Sequence, residues 1–89
     1  MSTLAIETPA RAEEVRCTDT ALSVSLSDGR TIAVPLVWFP RLVSATPQQR
    51  GRYQLMGGGT GIHWPDVDED ISVSGLLAGN PSVEARRVG

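Results

Sequence analysis

With 89 residues, 8 of them basic and 10 acidic, the chain carries a formal net charge of −2, and 40% of its residues are hydrophobic. This length predicts a single domain. The share of hydrophobic residues is enough for a core and excludes a globally disordered chain. The slightly acidic charge argues against a nucleic-acid footprint over the whole domain, although it leaves room for a local arginine patch.

The sequence lacks the marks of a membrane or secreted protein. No apolar run approaches the roughly 18–20 residues that span a bilayer, and the stretch from Met1 to Arg11 has no basic region followed by an apolar one. We therefore expect a cytoplasmic protein that does not bind a membrane. Every basic residue is an arginine, a bias that indicates a GC-rich bacterial genome.

The first structural elements are predicted by alternation of apolar and polar residues, which turns one face of a strand inward. Three such runs follow a flexible lead-in over residues 1–11. Their inward residues are Val15 and Cys17, then Leu22, Val24 and Leu26, then Ile32 and Val34. Turn signals separate the runs, and Asp28-Gly29 is typical of a tight hairpin. The pattern predicts a three-stranded antiparallel β-meander, with the lone Cys17 as a small buried hydrophobic residue.

Three helical segments are predicted after the meander. The apolar cluster from Leu36 to Val43 indicates a short helix or helical turn, with Trp38 and Phe39 in the core. Thr46-Pro47-Gln48-Gln49 is typical of a helix start. This helix is expected to reach Leu55 or Met56 and to end at Gly57. Its inner face is expected to carry Tyr53 and Leu55 or Met56, and its outer face Gln48, Arg50 and Arg52. After the glycine run, residues 62–64 are expected to form a short extended piece that Pro65 ends, followed by an exposed acidic stretch over residues 66–70. Ser72 is expected to cap a last helix over residues 73–78, which Gly79 ends.

These elements together predict an α+β fold, a three-stranded antiparallel β-meander packed against two or three short helices. The domain is expected to cover residues 12–80, between the flexible segment 1–11 and a flexible tail over residues 81–89. The sequence contains no internal repeat and no second domain.

Two series of short matches resemble a known family. The first series is Ser27-Asp28-Gly29-Arg30, Val34-Pro35-Leu36, Trp38-Phe39-Pro40-Arg41-Leu42, Ala45-Thr46-Pro47 and Gln49-Arg50. The second is Gly58-Gly59-Thr60-Gly61-Ile62-His63-Trp64-Pro65, Asp68-Glu69-Asp70 and Ser72-Val73-Ser74-Gly75-Leu76-Leu77. Over residues 13–79 the chain resembles the bacterial domain-of-unknown-function 2442 family. The resemblance implies a small α+β fold and no established enzymatic activity. Relatives are often encoded beside another small protein, which implies a paired partner.

The segment from Gly57 to Asp70 holds four glycines, the only histidine and four carboxylates, and it can be a site or a structural connection. Its glycine run does not fit a Walker loop, because the chain has no lysine. His63 with the carboxylates offers a metal or catalytic site, but one histidine and one cysteine are too few for a closed zinc site. We expect no cofactor, no metal and no catalytic residues, and a structural role for the glycines and His63.

We expect the arginines around the middle helix and the acidic residues of this segment to form separate surfaces at opposite poles, which favours electrostatic steering of a partner. Together with the absence of a catalytic set and the paired partner that the resemblance implies, this supports a non-enzymatic protein-interaction module with a regulatory, antitoxin-like or inhibitor role. The residues expected to contact a small basic protein partner are Trp64, Asp66, Asp68, Glu69 and Asp70. One alternative is a nucleic-acid-binding accessory protein that uses Arg41, Arg50 and Arg52. Another is a metal-dependent hydrolase that uses His63 and the carboxylates. A further alternative is a homodimer in which the exposed edge of the three-stranded sheet pairs with that of a second copy.

Overall fold

The computed structural model describes residues 10–82, which form two small antiparallel sheets and three short α-helices. The first sheet is the predicted meander, with strands β1 (Ala12–Cys17), β2 (Ala21–Leu26) and β3 (Thr31–Pro35) in that order. Leu22 pairs with Cys17 on one side and with Val34 on the other, so the inward residues of the three strands share one face. The predicted α+β class and meander are therefore confirmed.

Two helical segments follow the meander, and the second begins where its capping signal places it. A 3₁₀ turn (Leu36–Trp38) leads into α1 (Pro40–Val43), and α2 spans Pro47–Gly51. The side chain of Thr46 accepts from the Gln49 N–H, and the Gln49 side chain accepts from the Thr46 N–H, which completes the predicted capping box.

The last helix, α3 (Val73–Leu77), is capped by Ser72, whose hydroxyl accepts from the Gly75 N–H. It ends in a Schellman motif, because Gly79 takes a φ of +77° and the Asn80 N–H donates to the Gly75 carbonyl. Both predicted ends of this helix are confirmed to within a residue.

The predicted course of the chain from Gly51 to Met56 is wrong, whereas the extended piece predicted over residues 62–64 is confirmed as part of a strand. The middle helix ends at Gly51 rather than near Met56, and the chain then forms a second sheet of β4 (Gln54–Met56), β5 (Gly61–Trp64) and β6 (Glu69–Ser72). Gln54 pairs with His63 and His63 pairs with Asp70. Pairing with β5 satisfies the backbone of residues 54–56 without further helix, and glycine is a weak helix former at the point where α2 stops.

One hydrophobic core joins both sheets and the helical segments. Its fully buried side chains are Leu22, Val24, Leu36, Leu42, Ile62, Trp64 and Val73. Phe39 is buried as predicted, while Trp38 and Cys17 are partly buried against this core. By contrast, Leu55 and Met56 are exposed, because the edge strand that contains them replaces the predicted inner helix face.

The predicted flexible segments lie mostly at residues 1–9 and 83–89, outside the described residues. Within the described range, the Ser27 N–H donates to the Arg11 carbonyl and the Ser82 N–H donates to the Trp38 carbonyl. Residues 10–82 include no helix long and apolar enough to cross a membrane.

Candidate functional site

The glycine run forms the turn between β4 and β5 and approaches β1. Gly57, Gly58 and Gly59 have φ values of +59°, +70° and +108°, a region that favours glycine. The Gly59 carbonyl accepts from the Ala12 N–H at 2.7 Å, and a Cβ on Gly59 would lie 2.7 Å from the Ala12 carbonyl oxygen. The glycines therefore allow the second sheet to reach the outer edge of the first.

We expect Gly59→Ala to lower the free energy of unfolding by about 2–4 kcal/mol, because the left-handed backbone costs about 1–2 kcal/mol and the new methyl group collides with backbone. Gly29→Ala is the matched control, since Gly29 has a φ of +94° but nothing within 4 Å of its added Cβ. Urea unfolding of both variants measures the difference. Equal losses would mean that the approach to Ala12 contributes nothing.

Trp64 lies in the core rather than at the surface. Its relative exposure is 0%, and its indole N–H donates to the Arg50 carbonyl at 3.0 Å. Its ring lies 6.4 Å from that of Tyr53, centroid to centroid, in a tilted arrangement. Trp64 thus ties β5 to the end of α2, and its burial removes it from the surface that was expected to contact a partner.

Arg50 is also buried, contrary to its predicted outward position. Its relative exposure is 8%, and its guanidinium donates to the Leu42 carbonyl at 2.9 Å and the Val43 carbonyl at 3.0 Å. It also pairs with Asp19 at 2.7 Å. These contacts hold the end of α1 against α2 and the turn between β1 and β2, so Arg50 is not part of a surface arginine patch.

The other two arginines of the proposed patch are exposed but lie beside the acidic segment. Arg52 pairs with Asp66 at 3.4 Å, and Arg41 lies 3.8 Å from the Asp68 carboxylate and donates to the Asp68 carbonyl. The predicted separation into a basic surface and an acidic pole is therefore wrong, because the acids and the arginines are interleaved.

The acidic segment itself is the hairpin between β5 and β6. Pro65, Asp66, Val67 and Asp68 form its turn, and Asp68 takes a φ of +54°, which Asp tolerates better than most residues. The side chains of Asp68 and Asp70 are 89% and 76% exposed. Glu69 points the other way and is only 6% exposed, since side chains alternate along β6. The predicted exposure of this segment holds for Asp68 and Asp70 but not for Glu69.

His63 pairs with Asp70 across the outer face of the second sheet. Its Nδ1 lies 2.5 Å from the Asp70 carboxylate, and the contact fixes the orientation of the imidazole ring. Within residues 10–82, no group of three or more His, Cys, Asp and Glu side chains is arranged to hold a metal ion.

Cys17 lies where partial burial lowers the reactivity of its thiol. Burial raises the pKa of the Cys17 thiol, and the opposing attraction of the Arg50 charge is the smaller effect. Because the thiolate is the nucleophile, a raised pKa makes the group less reactive. Its position agrees with the predicted packing role.

A groove of about 490 Å³ runs along the outer edge of β6. Phe39 and Leu76 give it an apolar floor, and Arg41, Asp68 and Asp70 lie at its polar side, with the buried Glu69 among its lining residues. This groove and the acidic hairpin beside it form the candidate site of the described structure, a surface suited to binding rather than to a defined reaction.

Comparison with known proteins identifies the family. The model of the protein family of unknown function DUF2442 matches residues 12–82, which is most of the chain. The chain belongs to the DUF2442 family. This confirms the resemblance found in the sequence, and the matched range includes the acidic hairpin and every residue of the described groove.

Two solved structures are similar to this DUF2442 domain. A protein of unknown function from Rhodospirillum rubrum is 31% identical, with a TM-score of 0.74 over 88% of this chain and 96% of that chain. An uncharacterised protein from Chromobacterium violaceum, solved by solution NMR, shares the fold at 23% identity, with a TM-score of 0.69 over 91% of this chain and 75% of that one. No curated protein matches this chain.

Sequence reasoning identified the acidic segment of the DUF2442 domain but missed the groove. The groove exists because residues 69–72 form the strand β6, whereas the sequence predicts only an exposed acidic stretch over residues 66–70. The alternation of Glu69 and Ile71 with Asp70 and Ser72 is the signal that could have indicated the strand.

Proposed function

We propose that this DUF2442 domain is a non-enzymatic protein-interaction module that binds a basic protein partner through its acidic hairpin, in a regulatory, antitoxin-like or inhibitor role. The observation that carries the proposal is the exposure of the Asp68 and Asp70 carboxylates beside a groove lined by the buried Glu69. Carboxylates outnumber the arginines that lie beside them, so the surface remains complementary to a basic partner.

The proposal places the protein in the cytoplasm of a bacterium, as the sequence suggests, and both similar structures come from bacteria. Trp64 is not included in the contact surface, because it lies in the core. Asp66 contributes less than Asp68 and Asp70, since its carboxylate is largely covered beside Arg52.

No observation favours the two alternative functions over this one. Nucleic-acid binding is less favoured because Arg50 is buried, and because Arg41 and Arg52 lie against the carboxylates of Asp68 and Asp66. A hydrolase would need His63 as a base or metal ligand, but its Nδ1 is already held by the Asp70 carboxylate.

Affinity capture from the native host tests the proposed surface. The double variant Asp68→Asn with Asp70→Asn is expected to recover about tenfold less partner than the unmodified chain, because two exposed charge contacts are worth on the order of 1–2 kcal/mol. Glu13→Gln with Glu14→Gln is the matched control, since it removes the same charge from exposed positions on β1.

Thermal unfolding of both double variants separates binding from folding, because Asp70→Asn also removes the contact with His63. Added salt should weaken capture by the unmodified chain. Equal recovery by the hairpin variant, the β1 control and the unmodified chain would contradict the proposed function.

A further inference from the structure

The outer edge of β6 is an open strand edge inside the groove. The register pairs Ile62 with Ile71 and Trp64 with Glu69, and the Val73 N–H donates to the Thr60 carbonyl at 2.9 Å. In an antiparallel pair, backbone groups alternate between the partner strand and the other side. The backbone groups of Asp70 and the N–H of Ser72 therefore point away from β5, towards the groove.

Within the described residues, β6 pairs only with β5, so no second strand bonds to these edge groups. The corresponding edge of β1 is different, because Gly59 accepts from the Ala12 N–H and the Tyr53 hydroxyl accepts from the Val15 N–H. The fold thus covers the outer edge of β1 and leaves that of β6 beside a groove with an apolar floor.

We propose that the basic partner binds as an extended peptide that adds a fourth strand to the second sheet along β6. This inference rests on the proposed function and specifies its binding mode. Strand addition takes its affinity from main-chain hydrogen bonds and its specificity from alternate side chains. Here the Asp70 N–H and carbonyl and the Ser72 N–H supply the main-chain bonds.

Charge and shape define the peptide that fits. In an antiparallel pairing, the residue opposite Asp70 lies on the same sheet face as the Asp70 carboxylate, and the residue two positions further along lies beside Asp68. Basic side chains at both positions meet exposed carboxylates. The residue opposite Ile71 faces the interior side, where the groove offers Phe39 and Leu76, so an apolar side chain fits there. The preferred order is apolar, basic, any residue, basic.

The probe is the peptide acetyl-Thr-Val-Arg-Thr-Arg-Thr-amide, titrated into the full chain at low salt and followed by the amide NMR signals. We expect the largest shifts at Asp70 and Ser72, with an affinity in the range of about 0.1–1 mM, since only three main-chain bonds form. A matched peptide carries an N-methyl group on the arginine opposite Asp70. It keeps the charge but loses the donor, and its binding should fall about tenfold or more.

Each alternative gives a distinct result. Equal binding of the methylated peptide would overturn strand addition and leave charge recognition, and with it the proposed function, in place. Absence of shifts at Asp70 and Ser72 with either peptide would also overturn it. Shifts at these amides on raising the protein concentration alone would assign the edge to a second copy of the chain. Failure of the proposed function shows separately, as unchanged capture by the Asp68→Asn and Asp70→Asn variant.

Discussion

Trp64→Ala is expected to lower the free energy of unfolding by about 3–5 kcal/mol, the usual cost of removing a large aromatic side chain from a core. Trp64 is the largest fully buried side chain of the described residues, and its indole N–H donates to the Arg50 carbonyl in α2. A domain of this size has a total stability of only about 4–13 kcal/mol. The variant should therefore be partly unfolded at 37 °C.

Trp64→Phe separates the ring from the hydrogen bond. Phenylalanine keeps most of the apolar contact but leaves the Arg50 carbonyl without the indole donor, so a loss of about 1–2 kcal/mol is expected. Trp38→Phe is the matched control, since Trp38 is only partly buried, and it leaves Trp64 as the single tryptophan for following unfolding. If Trp64→Ala costs no more than the Trp38→Phe control, the packing described for Trp64 is wrong.

The burial of Trp64 shows where sequence reasoning reached its limit. The first sheet was predictable because its alternation and its Asp28-Gly29 turn act locally. The second sheet was not, because the three residues of β4 carry no strand signal of their own. These residues form a strand because the glycine turn brings β5 beside them. This pairing is a tertiary effect that overrides local preference.

The candidate site was predictable to a similar degree. The exposed carboxylates of the hairpin were predictable from the sequence, because four acidic residues fall within residues 66–70. The inward side chain of Glu69 and the buried guanidinium of Arg50 were not, since charged residues are almost never buried unless paired. Arg50 is buried because Asp19 and backbone carbonyls from a different helix accept its donors, and no spacing rule joins those positions.

Arg50→Met is expected to lower the free energy of unfolding by about 2–4 kcal/mol. Methionine keeps an apolar stem of comparable length but supplies no donor for the Leu42 and Val43 carbonyls, and hydrogen bonds from charged groups contribute about 1.5–3 kcal/mol each. Asp19 is left without its ion pair, but its carboxylate is exposed to water, so no charge is stranded in the core. The stability of Arg50→Lys should lie between those of Arg50→Met and the unmodified chain, because one ammonium group cannot reproduce the planar fork of a guanidinium.

Arg52→Met is the control for this series. Arg52 is exposed and makes one ion pair with Asp66, so its removal should change stability by less than about 0.5 kcal/mol. Urea unfolding of the three variants measures their losses of stability. Titration with a short DNA duplex at low salt tests the alternative role of Arg50 in nucleic-acid binding. A structural Arg50 predicts a stability loss in Arg50→Lys that exceeds that of Arg52→Met. If Arg50→Lys instead kept full stability and lost DNA binding, Arg50 would belong to a nucleic-acid surface, and the interior contacts with α1 would not account for it.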